Sequence, residues 1–393
     1  MIIFISFFDS MLFRKCMPFD AGIHRMVTSF YPPTPTTIQG AIRSLIISKN
    51  NVNFSDWENF IKYNKTENHL NNEKLLKLKD LIGDTESLGK LILKGPFIAK
   101  KLENNRFKLY FDVPLDLVKI RKKEENKIFK LEPIKVKNLN GKYNFVFNDD
   151  KLNFLPWSYR GLRVESFENY YISEDELKLY LLGEKIEKSN LLKKDEVYKI
   201  ERRPGIWRED RVTKEGMLYF ADYVRVESDF GIIEEINFSD NNNVEIDDIG
   251  TFYFGGQTKV AKYEKIDIDP FENLNRIKNI IKDKINKYKK FKILFLTPVY
   301  LKDQYNLMDD VLLSKSELIS MCIGKPLVIG GWDLAKNQPK IARKFIPAGS
   351  IYYFKLKNNE YLSDKEFDKF WLKSILKDNF NQYGYGITLC GVW

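Results

Sequence analysis

The sequence predicts an α+β protein of two domains, and three observations carry that expectation. The chain has 393 residues, more than a single hydrophobic core usually holds. A polar stretch, "NFSDNNNVEIDDIG", interrupts the apolar patterning and places a boundary near it, giving expected domains of 1–240 and 241–393. Beyond that stretch apolar strand patterns alternate with helical ones, the order of an α+β domain. With 44% hydrophobic and 14% aromatic residues, a sizeable core can be buried.

The elements follow in chain order. "MIIFISFFDSMLF" is apolar, but Asp9, Arg14 and Lys15 interrupt it and no basic region precedes it, so it reads as a buried first strand rather than a signal peptide. No other run is long enough to span a bilayer. In "FYPPTPTTIQGAIRSLII", residues 30–47, three prolines hold an extended approach and Thr36 or Thr37 can cap a helix. Ile38, Ala41, Ile42, Leu45 and Ile46 mark its packed face. Gln39 and Arg43, one turn apart near the positive end, make an anion site possible there. Residues 48–93 read as helical insertions, and "GPFIAKK", "RFKLYFDVPLDLV" and "YNFVFNDDKLNFL" as strands or hairpins. A helix is expected between Asp175 and Lys194. In residues 199–226, Arg202, Arg203, Arg208, Arg211 and Lys214 cluster about a Pro-Gly turn ahead of an aromatic strand, the pattern of an exposed hairpin or long loop. "GTFYFGGQTKVAKY" is strand, Gly-Gly turn, strand; residues 270–290 are a lysine-rich helix; "FKILFLTPVYL" is a buried strand; "GYGITLCGVW" is a glycine loop entering a final strand.

Charge points to the class of partner. Lys and Arg number 64 against 54 Asp and Glu, a formal charge of +10, which favours a polyanion: nucleic acid first, an acidic membrane surface second. "KIARKFIPAGSIYYFKLK", residues 340–357, carries basic side chains and no acid around a turn and an aromatic run. With a period of two, Ser350, Tyr352, Phe354 and Leu356 share a face able to cover a core. Ile351, Tyr353, Lys355 and Lys357 share the other, which can hold phosphates and stack a base. The competing reading is a solvated edge strand with lysines against aggregation. Cys16, Cys322 and Cys390 lie far apart with no Cys-x-x-Cys spacing, so neither a disulfide framework nor a structural zinc site is expected, and a reducing cytosol fits.

Catalytic chemistry has little to work with. There are two histidines, His24 and His69, and the phosphate-binding, nucleophile-elbow and zinc motifs are missing. His24 beside Arg25 could serve as a base in an RNA-cleaving site, though a surface or phosphate-contacting histidine is the stronger reading. Asp229-Phe230-Gly231 is a chance match to a kinase tripeptide. Asp247-Asp248 and Asp309-Asp310 read as solvated turns, and no metal or cofactor is expected. Glycine pairs at Gly255 and Gly256, Gly330 and Gly331, and Gly384 and Gly386 interrupt strand patterns, where glycine lets a backbone or ligand come close. Lys259 and Lys262 follow the first pair; Lys336 and Lys340 follow the second.

Read in order, "DSMLFRKCMPFDAG", "SFYPPTPTTIQGAIRS", "LKGPFIAK", "YFDVPLDLV", "WREDRVTKEGMLYF", "GGQTKVAKYE", "IGGWDLAKNQPKIARKFIPAGSIYYF" and "GYGITLCGVW" resemble the third-subunit family of the type III-B CRISPR (Cmr) RNA-targeting complex, within the RAMP superfamily. The resemblance implies two ferredoxin-like folds of the RNA-recognition-motif type, with insertions at about 48–93 and 120–200. It implies a thumb-like hairpin near 201–226 that lies against a guide RNA, and makes the loop at Gly384 and Gly386 the superfamily's signature element. It also implies a cytoplasmic subunit without nuclease activity of its own. Such a subunit would grip the 5′ tag of the CRISPR RNA and meet target RNA only indirectly. It would dock the large polymerase-like subunit to the backbone subunits, with no membrane role.

No family motif carries the RNA contacts, so they are expected from charge and glycine placement. Arg343 and Lys344, on a basic rim along Lys340 to Lys357, would contact phosphates, and Arg14, Lys15, Gln39 and Arg43 would line a second wall; His24, Gly331, Trp332 and Lys336 are further expected contacts. Arg208, Arg211 and Lys214 on the hairpin, Gly255, Gly256 and Lys259 at the first glycine turn, and Gly384 and Gly386 complete the set. The alternative is a RAMP endoribonuclease that processes precursor guide RNA with His24 as general base. A structural adaptor whose basic surface serves only protein contacts is a third possibility.

Overall fold

The computed structural model describes residues 1–16, 26–63, 69–84, 87–120, 127–135, 154–157, 164–209, 212–240, 244–300, 314–333 and 336–393. Two large antiparallel sheets, four minor sheets of two or three strands and few helices make up the described residues, an α+β architecture. The larger has eight strands, in spatial order Leu192–Lys193, Tyr170–Ser173, Phe107–Asp112, Leu91–Lys101, Phe230–Phe238, Ile2–Phe7, Val260–Ile266 and Ile249–Tyr253. The smaller has five: Ser316–Cys322, Ile351–Leu356, Lys290–Phe295, Ile387–Gly391 and Lys373–Ser374.

One pattern recurs in both sheets. In the first, Ile2–Phe7 lies between Phe230–Phe238 and Val260–Ile266, with Leu91–Lys101 outside Phe230–Phe238. In the second, Lys290–Phe295 lies between Ile351–Leu356 and Ile387–Gly391, with Ser316–Cys322 outside Ile351–Leu356. Each half also carries a long hairpin between its second and third strands in chain order: Tyr198–Glu209 with Val212–Val226, and Leu327–Asp333 with Gln338–Ile346. The pairing of Ile249–Tyr253 and Val260–Ile266 carries the N-terminal sheet beyond the boundary expected at 240.

The first strand shows how the core is shared. Ile3 and Ile5 face a cluster with Ile38, Ile42, Leu45 and Ile46 of the helix Pro35–Lys49, whereas Phe4 faces a second cluster with Phe97, Phe111, Phe291 and Tyr352. That second cluster includes side chains from both sheets, so the halves share one core. The helix starts a turn earlier than the threonine pattern suggests. Thr34 is its N-cap and Pro35 its first residue, because proline's missing N–H costs nothing there.

The strand Ile351–Leu356 corrects an expectation. It is not a solvent-facing RNA surface, since Ile351, Tyr352, Tyr353, Phe354 and Leu356 are all buried and only Lys355 is exposed. It is an interior strand, and the loop after Phe107–Asp112 covers its second face. From that loop the Asp116 carboxylate accepts hydrogen bonds from Tyr353 (2.8 Å) and Tyr180 (2.8 Å). Lys292 lies 3.7 Å from the same carboxylate, with its nitrogen 3.2 Å from the centre of the Tyr180 ring. Burial lowers the Lys292 pKa well below the usual lysine value, and pushes the nearby Cys322 thiol up to about 12.

Candidate nucleic-acid interface

The hairpin Leu327–Asp333/Gln338–Ile346 lies beside the start of the helix Pro35–Lys49, and a groove of about 480 Å³ opens between them. Its wall is aromatic. Tyr300 and Phe380 stand 4.9 Å apart between ring centres, Phe345 and Tyr385 4.7 Å, and Phe345 and Phe380 5.5 Å. The Arg343 guanidinium lies over this wall, 5.5 Å from the centre of Tyr300 and 5.3 Å from that of Phe380. Thr36 meets Tyr385 hydroxyl to hydroxyl at 3.0 Å, and burial pushes that phenol up to about 12.

Glycines hold the wall in place. Gly384 and Gly386 have φ of +97° and +71°, and a Cβ on Gly384 would sit 2.6 Å from the Gly95 carbonyl oxygen. Only glycine fits so tight a left-handed turn against the other half's backbone. Both glycines are buried, so they position Tyr383 and Tyr385 rather than present a loop to RNA.

Two cations, Lys340 and Arg343, and one acid, Asp378, line the groove. Lys340 lines it with no hydrogen-bonded or ion-paired carboxylate among the described residues, and its pKa is lowered by desolvation and by the like charge of Arg43, with Asp333 opposing. Arg43 is half-buried; it donates from Nη2 to the Ser87 carbonyl (3.1 Å), while its Nε is buried without a partner. Burial lowers its pKa too. Lys340 and Arg343 are exposed cations near the half-buried Arg43, and an anion bound among them would offset their like charge.

The remaining expected residues fall into three groups. Arg14 and Lys15 lie near the groove: the next residue, Cys16, packs against Gly330 of the hairpin, and Lys15 sits over the Phe30 ring at 5.0 Å. On that hairpin Lys336, Gly331 and Trp332 are exposed, Trp332 at 53%. Lys344 pairs with Val328 and Arg343 with Ile329, so the two basic neighbours face opposite sides and Arg343 alone of them lines the groove.

A second group is structural. Gln39 is buried in the helix packing, not on a wall. Gly256 donates to the Leu12 carbonyl (2.9 Å), and Gly255 packs on the same residue. Lys259 pairs with Asp9 at 2.9 Å, which also meets Arg225 at 3.2 Å, so this lysine ties the glycine turn to the base of the long hairpin.

The third group concerns the long hairpin and the histidine. Arg208 and Lys214 lie on the strands Tyr198–Glu209 and Val212–Val226, while Arg211 and His24 lie outside the described residues, as do Asp309 and Asp310. Asp247 pairs with Lys49 and Asp248 with Lys265, and no cluster of three or more metal-ligating side chains occurs among the described residues. No helix of the described residues is long and apolar enough to cross a membrane. The sequence reading missed Tyr300, Phe345, Phe380, Tyr383 and Tyr385. The aromatic spacing of "FNQYGYG" was their one local signal.

An aromatic wall beneath exposed basic side chains is a surface suited to a flexible polyanion. The family model described as "CRISPR-associated protein (Cas_Cmr3)" matches residues 3–393, and the chain belongs to that family. Among solved structures it is similar to a chain of the type III-B Cmr-beta complex bound to cognate target RNA, at 17% identity, with 94% of this chain and 92% of that chain covered and a TM-score of 0.45. A chain of the same complex bound to target RNA and AMPPnP also has 17% identity and a TM-score of 0.45, with 90% and 86% covered. A chain of the Csm3-Csm4 subcomplex of the type III-A interference complex has 13% identity, with 99% of each chain covered and a TM-score of 0.33. No curated protein matches the chain.

Proposed function

We propose that this chain is a non-catalytic RNA-binding and assembly subunit of a type III-B CRISPR effector complex in the cytoplasm. It grips the 5′ tag of the guide RNA and docks the large polymerase-like subunit to the backbone subunits. Each half is read as a ferredoxin-like unit, on the shared strand order, with the division after Ile266 rather than at 240. The observation that carries the RNA reading is the convergence of Lys340 and Arg343 on an aromatic groove beside Arg43, with Asp333 and Asp378 as the nearby acids among the described residues. Phosphates would relieve the repulsion, and rings along the groove would stack unpaired bases.

Fluorescence anisotropy with a labelled single-stranded RNA of tag length tests this. Wild type should bind with an affinity that falls steeply as salt rises, and Lys340→Ala with Arg343→Ala should weaken binding to every sequence. The double change should also reduce the log–log salt slope by about 0.7 for each phosphate that the variant no longer neutralises. Affinity indifferent to salt would favour the protein-only adaptor. Metal-independent cleavage of repeat RNA in chelator, abolished by His24→Ala, would overturn the non-catalytic reading.

A further inference from the structure

A second cavity, of about 340 Å³, lies on the seam between the two halves, within the size range of small-molecule pockets. Its lining includes the aromatic Phe30, Tyr31 and Phe167 and several prolines, with Glu168 and Lys325 among the charged residues. On its lining Lys194 pairs with Asp112 at 2.7 Å, placing an ammonium and a carboxylate side by side. Tyr31 also lines it, and the Tyr31 hydroxyl is buried with no hydrogen-bond partner. Ile329 lines both this cavity and the cationic groove; Thr34 lines the cavity and Thr36 the groove, their hydroxyls 3.1 Å apart. The two spaces are therefore separated by about one side chain.

We propose that this cavity receives one unstacked nucleobase from the single-stranded RNA whose backbone lies in the groove, an inference that rests on the RNA-binding reading above. The aromatic faces of Phe30, Tyr31 and Phe167, together with the apolar faces of the prolines, suit a flat ligand that has left its stack. The Asp112 carboxylate has acceptor capacity beyond its bond to Lys194, and the ammonium has further donors, so together they can read an amino group beside a ring or carbonyl acceptor. Adenine, cytosine and guanine offer such an edge; uracil has no amino group and is disfavoured. A partner protein's aromatic side chain would fit the walls, but adjacency to the exposed cations of the groove favours a ligand joined to phosphate.

The test uses the full chain and a set of single-stranded RNAs, each with one abasic nucleotide at a successive position, with affinity read by anisotropy. For wild type, one position should lose about tenfold on base removal, the scale of one stacked base, and uracil there should bind more weakly than the other bases. Filling the cavity by Ala348→Trp should erase that positional effect. Lys194→Gln, which leaves the volume intact, should reduce discrimination between bases, and serves if the larger change fails to fold. Arg343→Ala should instead weaken all the RNAs alike. Equal affinity for intact and abasic RNAs at every position would overturn the cavity assignment while leaving the groove reading in place. No binding of any RNA would overturn both.

Discussion

Replacing each of the two ionisable members of the buried cluster between the halves should have unequal consequences. Asp116 and Lys292 are both 0% exposed, yet their partners differ. The carboxylate accepts from two tyrosine hydroxyls at 2.8 Å, whereas the Lys292 nitrogen has no hydrogen-bond partner and lies 3.7 Å from it. Asp116→Ala strands the Tyr180 hydroxyl in a dry core and leaves Tyr353 only the Leu131 carbonyl at 3.4 Å, so a loss of about 2–4 kcal/mol is expected. Lys292→Met keeps the length of the side chain and removes a group whose charged form is disfavoured by burial; a change within about 1.5 kcal/mol is expected.

The lysine also sets a pH dependence. Its folded pKa lies below the unfolded value of 10.5, so the unfolded chain binds the extra proton, and wild-type stability falls as pH drops below 10.5. Urea denaturation of wild type and both variants between about pH 7 and 10 measures all of this. Wild type should gain on Lys292→Met as pH rises. If Lys292→Met instead costs as much as Asp116→Ala at neutral pH, the ammonium is a stabilising charged partner of the carboxylate, and the reading that burial disfavours its charged form is wrong.

Other consequences can be checked with the same tools. Burial pushes the Glu174 carboxyl up to about 7 from 4.5, so its stabilising contribution is present below 4.5 and is lost as pH rises through 7. Glu174→Gln should therefore be more stable than wild type above that range, with the advantage vanishing in acid, as read by melts across pH. Gly384→Ala forces a side chain into a left-handed turn 2.6 Å from the Gly95 oxygen and should cost about 1–3 kcal/mol or more in thermal unfolding. A melting temperature equal to that of wild type would show that the seam adjusts freely. Lys344→Ala, on the hairpin face away from the groove, should change RNA affinity less than Arg343→Ala in one anisotropy series.

Local periodicity made much of the framework legible. The apolar spacing Ile38, Ala41, Ile42, Leu45 and Ile46 gave the packed face of the first long helix, and the Gly-Gly turn marked a real hairpin, whereas Pro204 and Gly205, read as a turn, lie within a strand and pair with Phe220 and Tyr219. These signals arise between residues a few positions apart, where backbone geometry alone sets the repeat. The same period could have separated Arg343 from Lys344, since neighbours on a strand point to opposite sides. For Gln39, the helical period placed it beside Arg43 without revealing that the second and third helices, Phe54–Tyr63 and His69–Ile82, add to the core on that side of the sheet.

By itself, then, the sequence determined the element types, the basic surplus and the order of motifs by which the family is resembled. Tertiary structure decided which charges remain free. Lys259 looked like a phosphate ligand until Asp9, 250 residues earlier in the chain, was found holding it. Tyr353 looked exposed until Asp116 proved to lie above it, 237 residues away. The groove itself draws on Thr36, Tyr300, Arg343 and Phe380, which no local repeat relates. Neutralisation and burial depend on distance in space, and chain folding brings together groups whose separation along the sequence carries no trace of it.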